Sequence, residues 1–139
     1  MNENDVIAGI CGYLEEHGYE IRQRLHTTQQ GVDIIARELV SGRDLVIEAK
    51  GATSSREGSP RFGKEFTGTQ VFDRVAKGVF TTLELRAEYP DRAQTDVALA
   101  VPDSSGFRRY LEPVKHELSA AGLRVFLVGH DLTVSELDR

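Results

Sequence analysis

Apolar residues recur at Val6, Ile7, Ile10, Tyr13 and Leu14. That three-and-four spacing predicts an amphipathic helix over 5–17, with His17-Gly18 as its stop. Alternation then takes over. Tyr19, Ile21 and Leu25 fall on one side of a strand over 19–25, and His26 to Gly31 reads as a polar loop. Two further strand-like runs, 32–40 and 43–50, flank Ser41-Gly42, a short hairpin signal. The stretch 51–66 is rich in Gly, Ser and Arg and contains Pro60, so it reads as a long, mobile, functional loop. Helical spacing resumes over 69–88 through Val71, Phe72, Val75, Val79, Leu83 and Leu85, and Tyr89-Pro90-Asp91 ends it. Residues 96–101 form a short apolar strand. Pro102-Asp103-Ser104-Ser105 supplies a turn and an N-cap for a helix over 107–121, whose regular part starts near Pro113. Gly122 caps that helix, and 123–128 is another apolar strand. Strand, helix, strand in so short a span implies a right-handed crossover between parallel strands. The expected order is α-β-β-β-α-β-α-β, an α/β fold with a mixed sheet and helices on both faces.

The 139 residues fit one domain, 1–139, with one core. No apolar run approaches the ~18 residues of a membrane span. The acidic opening from Met1 to Asp5 lacks the basic-then-apolar pattern of a signal peptide. Cys11 stands alone among apolar helix positions and reads as core. With no disulfide to form, the chain suits a reducing cytoplasm. The four histidines are scattered, with no Cys/His zinc spacing. A net charge of -5, from 17 basic and 22 acidic residues, argues against indiscriminate binding to nucleic acid but leaves a local contact surface open.

The hairpin concentrates the chemistry. With Ser41-Gly42 as a two-residue turn, Asp33 faces Lys50 and Glu48 is its diagonal neighbour, so all three share one side of the sheet. A four-residue loop is expected to give the same register, whereas an odd-length loop would break it. Ile34, Ala36, Leu45, Ile47 and Ala49 occupy the opposite face, suited to packing under a helix. Two neighbouring carboxylates suit a hard divalent cation such as Mg²⁺, which prefers oxygen ligands. A lysine beside them can steady an attacking water or neutralise charge developing on a phosphate. The combination serves phosphodiester hydrolysis.

Gly31-Val32-Asp33-Ile34-Ile35, followed by Leu45-Val46-Ile47-Glu48-Ala49-Lys50-Gly51, resembles the PD-(D/E)xK nuclease superfamily, the restriction-endonuclease-like fold that includes Holliday-junction resolvases. Asp33, Glu48 and Lys50 match its Asp and Glu-x-Lys position by position, and the element order matches over about residues 5–130. The resemblance implies a metal-dependent DNA endonuclease. Mg²⁺ or Mn²⁺ would be held by Asp33, Glu48 and the Ala49 carbonyl, and Lys50 would act on the water or the transition state. Gln70 resembles the glutamine that some members place beside the Glu-x-Lys strand. Val32 stands where the motif name has Pro. Many members also carry a ligand Glu early in the first helix. Ile7, Ala8 and Gly9 stand where it is expected, and the nearby acids Glu3, Asp5 and Glu15 are left unassigned.

DNA is the expected partner, with no membrane contact. Arg56, Arg61, Lys64 and Arg74 are the candidate phosphate contacts, in a segment from Gly51 to Gly78 whose five bases outnumber three acids. His26 borders the site as a loop histidine, and Arg108, Arg109 and Tyr110 read as helix surface. At this length base recognition would need a homodimer or larger complex, or a substrate recognised by its structure. The alternative is a nuclease-fold module that no longer cuts and binds nucleic acid or protein.

Overall fold

The computed structural model describes residues 1–25, 31–52 and 67–138. Helix α1 (Glu3–Glu16) starts from a reciprocal cap: Asn2 Oδ1 accepts the Asp5 N–H and Asp5 Oδ2 accepts the Asn2 N–H. Three strands follow, β1 (Tyr19–Arg24), β2 (Ile34–Glu38) and β3 (Asp44–Ala49). After them come α2 (Gly68–Glu88), β4 (Thr95–Pro102), α3 (Ser105–Leu111), a 3₁₀ turn (Glu112–Val114), α4 (Lys115–Ala120), β5 (Leu123–Val128) and β6 (Val134–Glu136). The result is a six-stranded mixed sheet in sequence order, flanked by helices. Strands β3, β4 and β5 run parallel, and the other neighbours pair antiparallel. Among the described residues, no helix is long and apolar enough to cross a membrane.

Alternation along the central strands divides the interior in two. Ile34, Ala36, Leu45, Ile47 and Ala49 pack with Val6, Ile7, Ile10, Cys11 and Leu14 of α1. Val46, Val97, Leu99, Val101 and Val125 point the other way, onto Val71, Val75 and Leu85 of α2 and Phe107, Leu111 and Leu118 of α3 and α4. The helical and strand periods of the sequence thus place the two faces as expected, including the face beneath the first helix.

Four sequence expectations change. The hairpin turns through four residues, Leu39 to Gly42, with the Glu38 N–H donating to the Arg43 carbonyl at 2.9 Å and Gly42 at φ +73°. Ile34 therefore pairs with Ile47, and the same register carries Asp33 alongside Glu48, not Lys50. The slip is two residues, so every side chain keeps its face. The last helical region begins at Ser105 under the Ser104 cap, and Pro113 divides it into two helices instead of starting it. Pro113 has no N–H to give the helical ladder, and the chain takes a 3₁₀ turn there. Strand β6, absent from the sequence reading, adds an antiparallel edge beside β5. Of the loop expected over 51–66, residues 53–66 lie outside the described residues, as do 26–30. Gly51 and Ala52 belong to the buried structure at the end of β3.

Candidate metal centre

Asp33 enters β2, and Glu48 and Lys50 lie at the end of β3, all on the α2 face of the sheet. Asp33 and Glu48 are 8% and 9% exposed, burial that ionised carboxylates accept only with partners. Asp33 Oδ2 accepts the Ala49 N–H at 2.8 Å, which locks its carboxylate against β3. Lys50 Nζ lies 3.2 Å from Glu48 Oε1. The lysine stem runs along α2 at Gly78, where an added Cβ would stand 3.1 Å from Lys50 Cγ and 2.9 Å from Leu99 Cδ1. Glycine at 78 leaves room for that stem.

A third carboxylate, Glu3, completes the cluster. One oxygen from each of Glu3, Asp33 and Glu48 lies within 4.8 Å of the others. Glu3 is delivered by a close approach of backbones. A Cβ on Gly51 would lie 2.4 Å from the Glu3 nitrogen and 2.6 Å from the Asn2 carbonyl carbon. The Ala52 N–H donates to the Met1 carbonyl at 2.8 Å, so residues 1–3 are tied to the chain just beyond β3. The helix stop at His17-Gly18 does not single out Glu3, because Ile7, Ala8 and Gly9 stand where a helix-one ligand is expected. The usable signal lay at the other end: the Asn2/Asp5 cap fixes where α1 starts, and Gly51 directly follows Glu48-Ala49-Lys50.

Electrostatics follow from this crowding. Burial first, then the charges of Asp33 and Glu3, push the Glu48 pKa up to about 7, against the opposing pull of Lys50. Burial also raises Asp33, opposed by the Ala49 N–H and Lys50. Glu3 is raised by burial and by Asp33, while Lys50 and Arg74 act in the opposite sense. Three acids thus face two bases, an arrangement that a divalent cation would relieve. Two oxygens on opposite sides of one ion stand about 4.2 Å apart for Mg²⁺ and up to about 5.2 Å for Ca²⁺. The donor set, hard oxygens only, and its spacing fit such an ion.

The Ala49 contact to the cluster is made through its N–H, and its side chain packs beneath α1. Gln70 Oε1 accepts the Thr67 N–H at 2.8 Å, which makes it half of the capping box of α2. Arg74 lies on the second turn of α2, where its charge reaches Glu3. Arg56, Arg61, Lys64 and His26 lie outside the described residues. Arg108 is engaged with Asp103 and Glu112, and Arg109 lies over the Tyr110 ring.

No protein-family model matches the chain, and no curated protein sequence matches it. Among solved structures, the chain is similar to Pyrococcus furiosus SfsA in complex with Ca²⁺, at 16% identity and a TM-score of 0.40. The match covers 92% of this chain and 57% of that one, and at that TM-score it carries no functional argument.

Proposed function

We propose that this protein is a divalent-metal-dependent nuclease of the PD-(D/E)xK type that hydrolyses phosphodiester bonds in DNA. The observation that supports this reading is the meeting of Glu3, Asp33 and Glu48 with the Lys50 ammonium at the end of one strand. Glu3, Asp33 and Glu48 hold Mg²⁺ or Mn²⁺. When bound, the ion would supply Lewis-acid polarisation of a phosphoryl oxygen and a lowered pKa for an attacking water. Asp33 is held rigid by the Ala49 N–H, so its carboxylate presents a fixed oxygen edge. Lys50, with its stem confined beside Gly78, holds its ammonium where charge develops on the phosphate. Arg74, whose charge reaches Glu3, would contact an adjacent backbone phosphate in this reading.

Incubation with linear, branched and single-stranded DNA in Mn²⁺ tests the reading. Cleavage of at least one substrate, abolished by chelator and by Asp33→Asn, is the expected result. Binding of DNA without cleavage of any of the three would favour a non-cutting module.

A further inference from the structure

The opposite end of the sheet carries the opposite charge. Where β4 and β5 begin, a cavity of about 190 Å³ is lined by Arg86, Arg92, Asp96, Ser119 and Arg124 among others. From Leu45, paired with Asp96 of the cavity, to Glu48 of the cluster, β3 covers three residue steps. At ~3.3 Å per residue those two points are about 10 Å apart along the strand, and no residue lines both sites. It is a separate site.

Its charges are unequally matched. Arg86, 9% exposed on the last turn of α2, donates to the carbonyls of Tyr89, Thr95 and Gly122, and its Nε is buried with no hydrogen-bond partner. Arg92 packs against the same corner: a Cβ on Gly122 would meet Arg92 Cζ at 2.9 Å and Arg86 Cδ at 3.1 Å. Its hydrogen bond is to the Ala120 carbonyl, at 3.5 Å. Among the described residues, neither arginine has a carboxylate within ion-pair distance. Asp96 is already shared, with Oδ1 2.7 Å from Arg43 and Oδ2 3.1 Å from Arg124. Arg124 is paired with Glu136 as well as with Asp96, so among the described residues the lining cations without an ion-pair partner are two, Arg86 and Arg92, in a chain whose net charge is -5. The carboxyl ends of α2 and α4 supply about half a negative charge each at most, which offsets only one of the two surplus positive charges. Burial first and then the nearby Arg92 charge pull the Arg86 pKa below the ordinary arginine value, against the weaker opposing pull of Asp96 and Asp91.

We propose that this pocket binds a phosphate group, with the exposed Arg92 fork and the Ser119 hydroxyl as donors above a floor charged by Arg86. Guanidinium forks match the oxygen spacing of phosphate, and two surplus charges match its charge near neutral pH. The group comes either from free inorganic phosphate or from a nucleic-acid backbone.

Calorimetric titration of the full chain with inorganic phosphate, in chelator, reads the site directly. Saturable binding that weakens ~tenfold or more in Arg92→Gln, with an unchanged melting temperature, is the expected result. Ser119→Ala should weaken it less. Asp33→Asn should bind phosphate like the parent, so the outcome is independent of the nuclease reading. A duplex lacking terminal phosphates separates the sources. If the backbone occupies the pocket, Arg92→Gln weakens duplex binding and inorganic phosphate competes. If free phosphate is the ligand, duplex binding is unchanged while phosphate binding falls. No saturable phosphate binding by the parent, or binding indifferent to Arg92→Gln, overturns the proposal and leaves the arginines as staples on helix ends.

Discussion

Glu48 sets the electrostatics of the carboxylate cluster. Its carboxyl titrates near 7 in the fold and near 4.5 in an unfolded chain, so the folded state favours the protonated form. The stabilisation from that proton is complete below about pH 4.5 and lost as the pH rises through about 7. By linkage the loss is at most about 3 kcal/mol in metal-free protein. Glu48→Gln should therefore raise the melting temperature in chelator at pH 8 and change it little at pH 5. Equal effects at both pH values would show that Glu48 is not under this strain. Asp33 and Lys50 divide differently. Asp33→Asn can keep the contact to the Ala49 N–H but removes a ligand charge, so calorimetric Mn²⁺ affinity should drop. Lys50→Ala removes a competing cation, so Mn²⁺ affinity should hold or rise while turnover falls by roughly 10²–10³-fold. Clearly weaker Mn²⁺ binding by Lys50→Ala would mean that the lysine organises the carboxylates. Strand alternation made Asp33, Glu48 and Lys50 legible in the sequence. Glu3 was legible only through the Asn2/Asp5 cap and Gly51, because no periodicity within α1 records how its first turn meets β3.

Elements contribute through their ends. The hairpin signal at Ser41-Gly42 was real, but the turn takes in Leu39 and Val40 as well, 64% and 96% exposed. Two apolar residues looked like strand and proved to be loop. The Gly51 contact is the most demanding of these junctions, because an added Cβ meets backbone that cannot rotate away. Gly51→Ala should displace the start of α1 and lower Mn²⁺ affinity about as much as Glu3→Gln. The double variant should lose little more than either, the non-additivity expected of residues acting on one ligand. Full additivity would separate the glycine from Glu3. Thr67→Ala, in contrast, removes the cap of α2 and should cost about 1 kcal/mol in denaturant unfolding. Strand β6, three residues long, is too short to show a period. It is held by pairing with β5 and by Arg124, whose Nε and Nη2 each lie 2.9 Å from Glu136.

Across the whole molecule, the parallel strands give the sheet a direction, and the carboxylates gather beyond the carboxyl end of β3, as ligand sites in such sheets do. The arginines Arg86, Arg92 and Arg124 gather at the other end. The element order from α1 to β5 was readable in advance from the hairpin and the helical crossovers, and the sixth strand was not. Nor was the charge separation, because those arginines come from α2, the following turn and β5, and only the fold brings them together. The account stands or falls on whether one cation site both binds and cuts. Cleavage rate should be measured against Mn²⁺ concentration for the parent and for Glu3→Gln, alongside calorimetric binding. The account predicts that cleavage by the parent rises over the concentration range in which the site fills, and that both curves move together to higher Mn²⁺ in Glu3→Gln. Cleavage that persists in chelator, or a cleavage curve that stays in place while the binding curve moves, would contradict it.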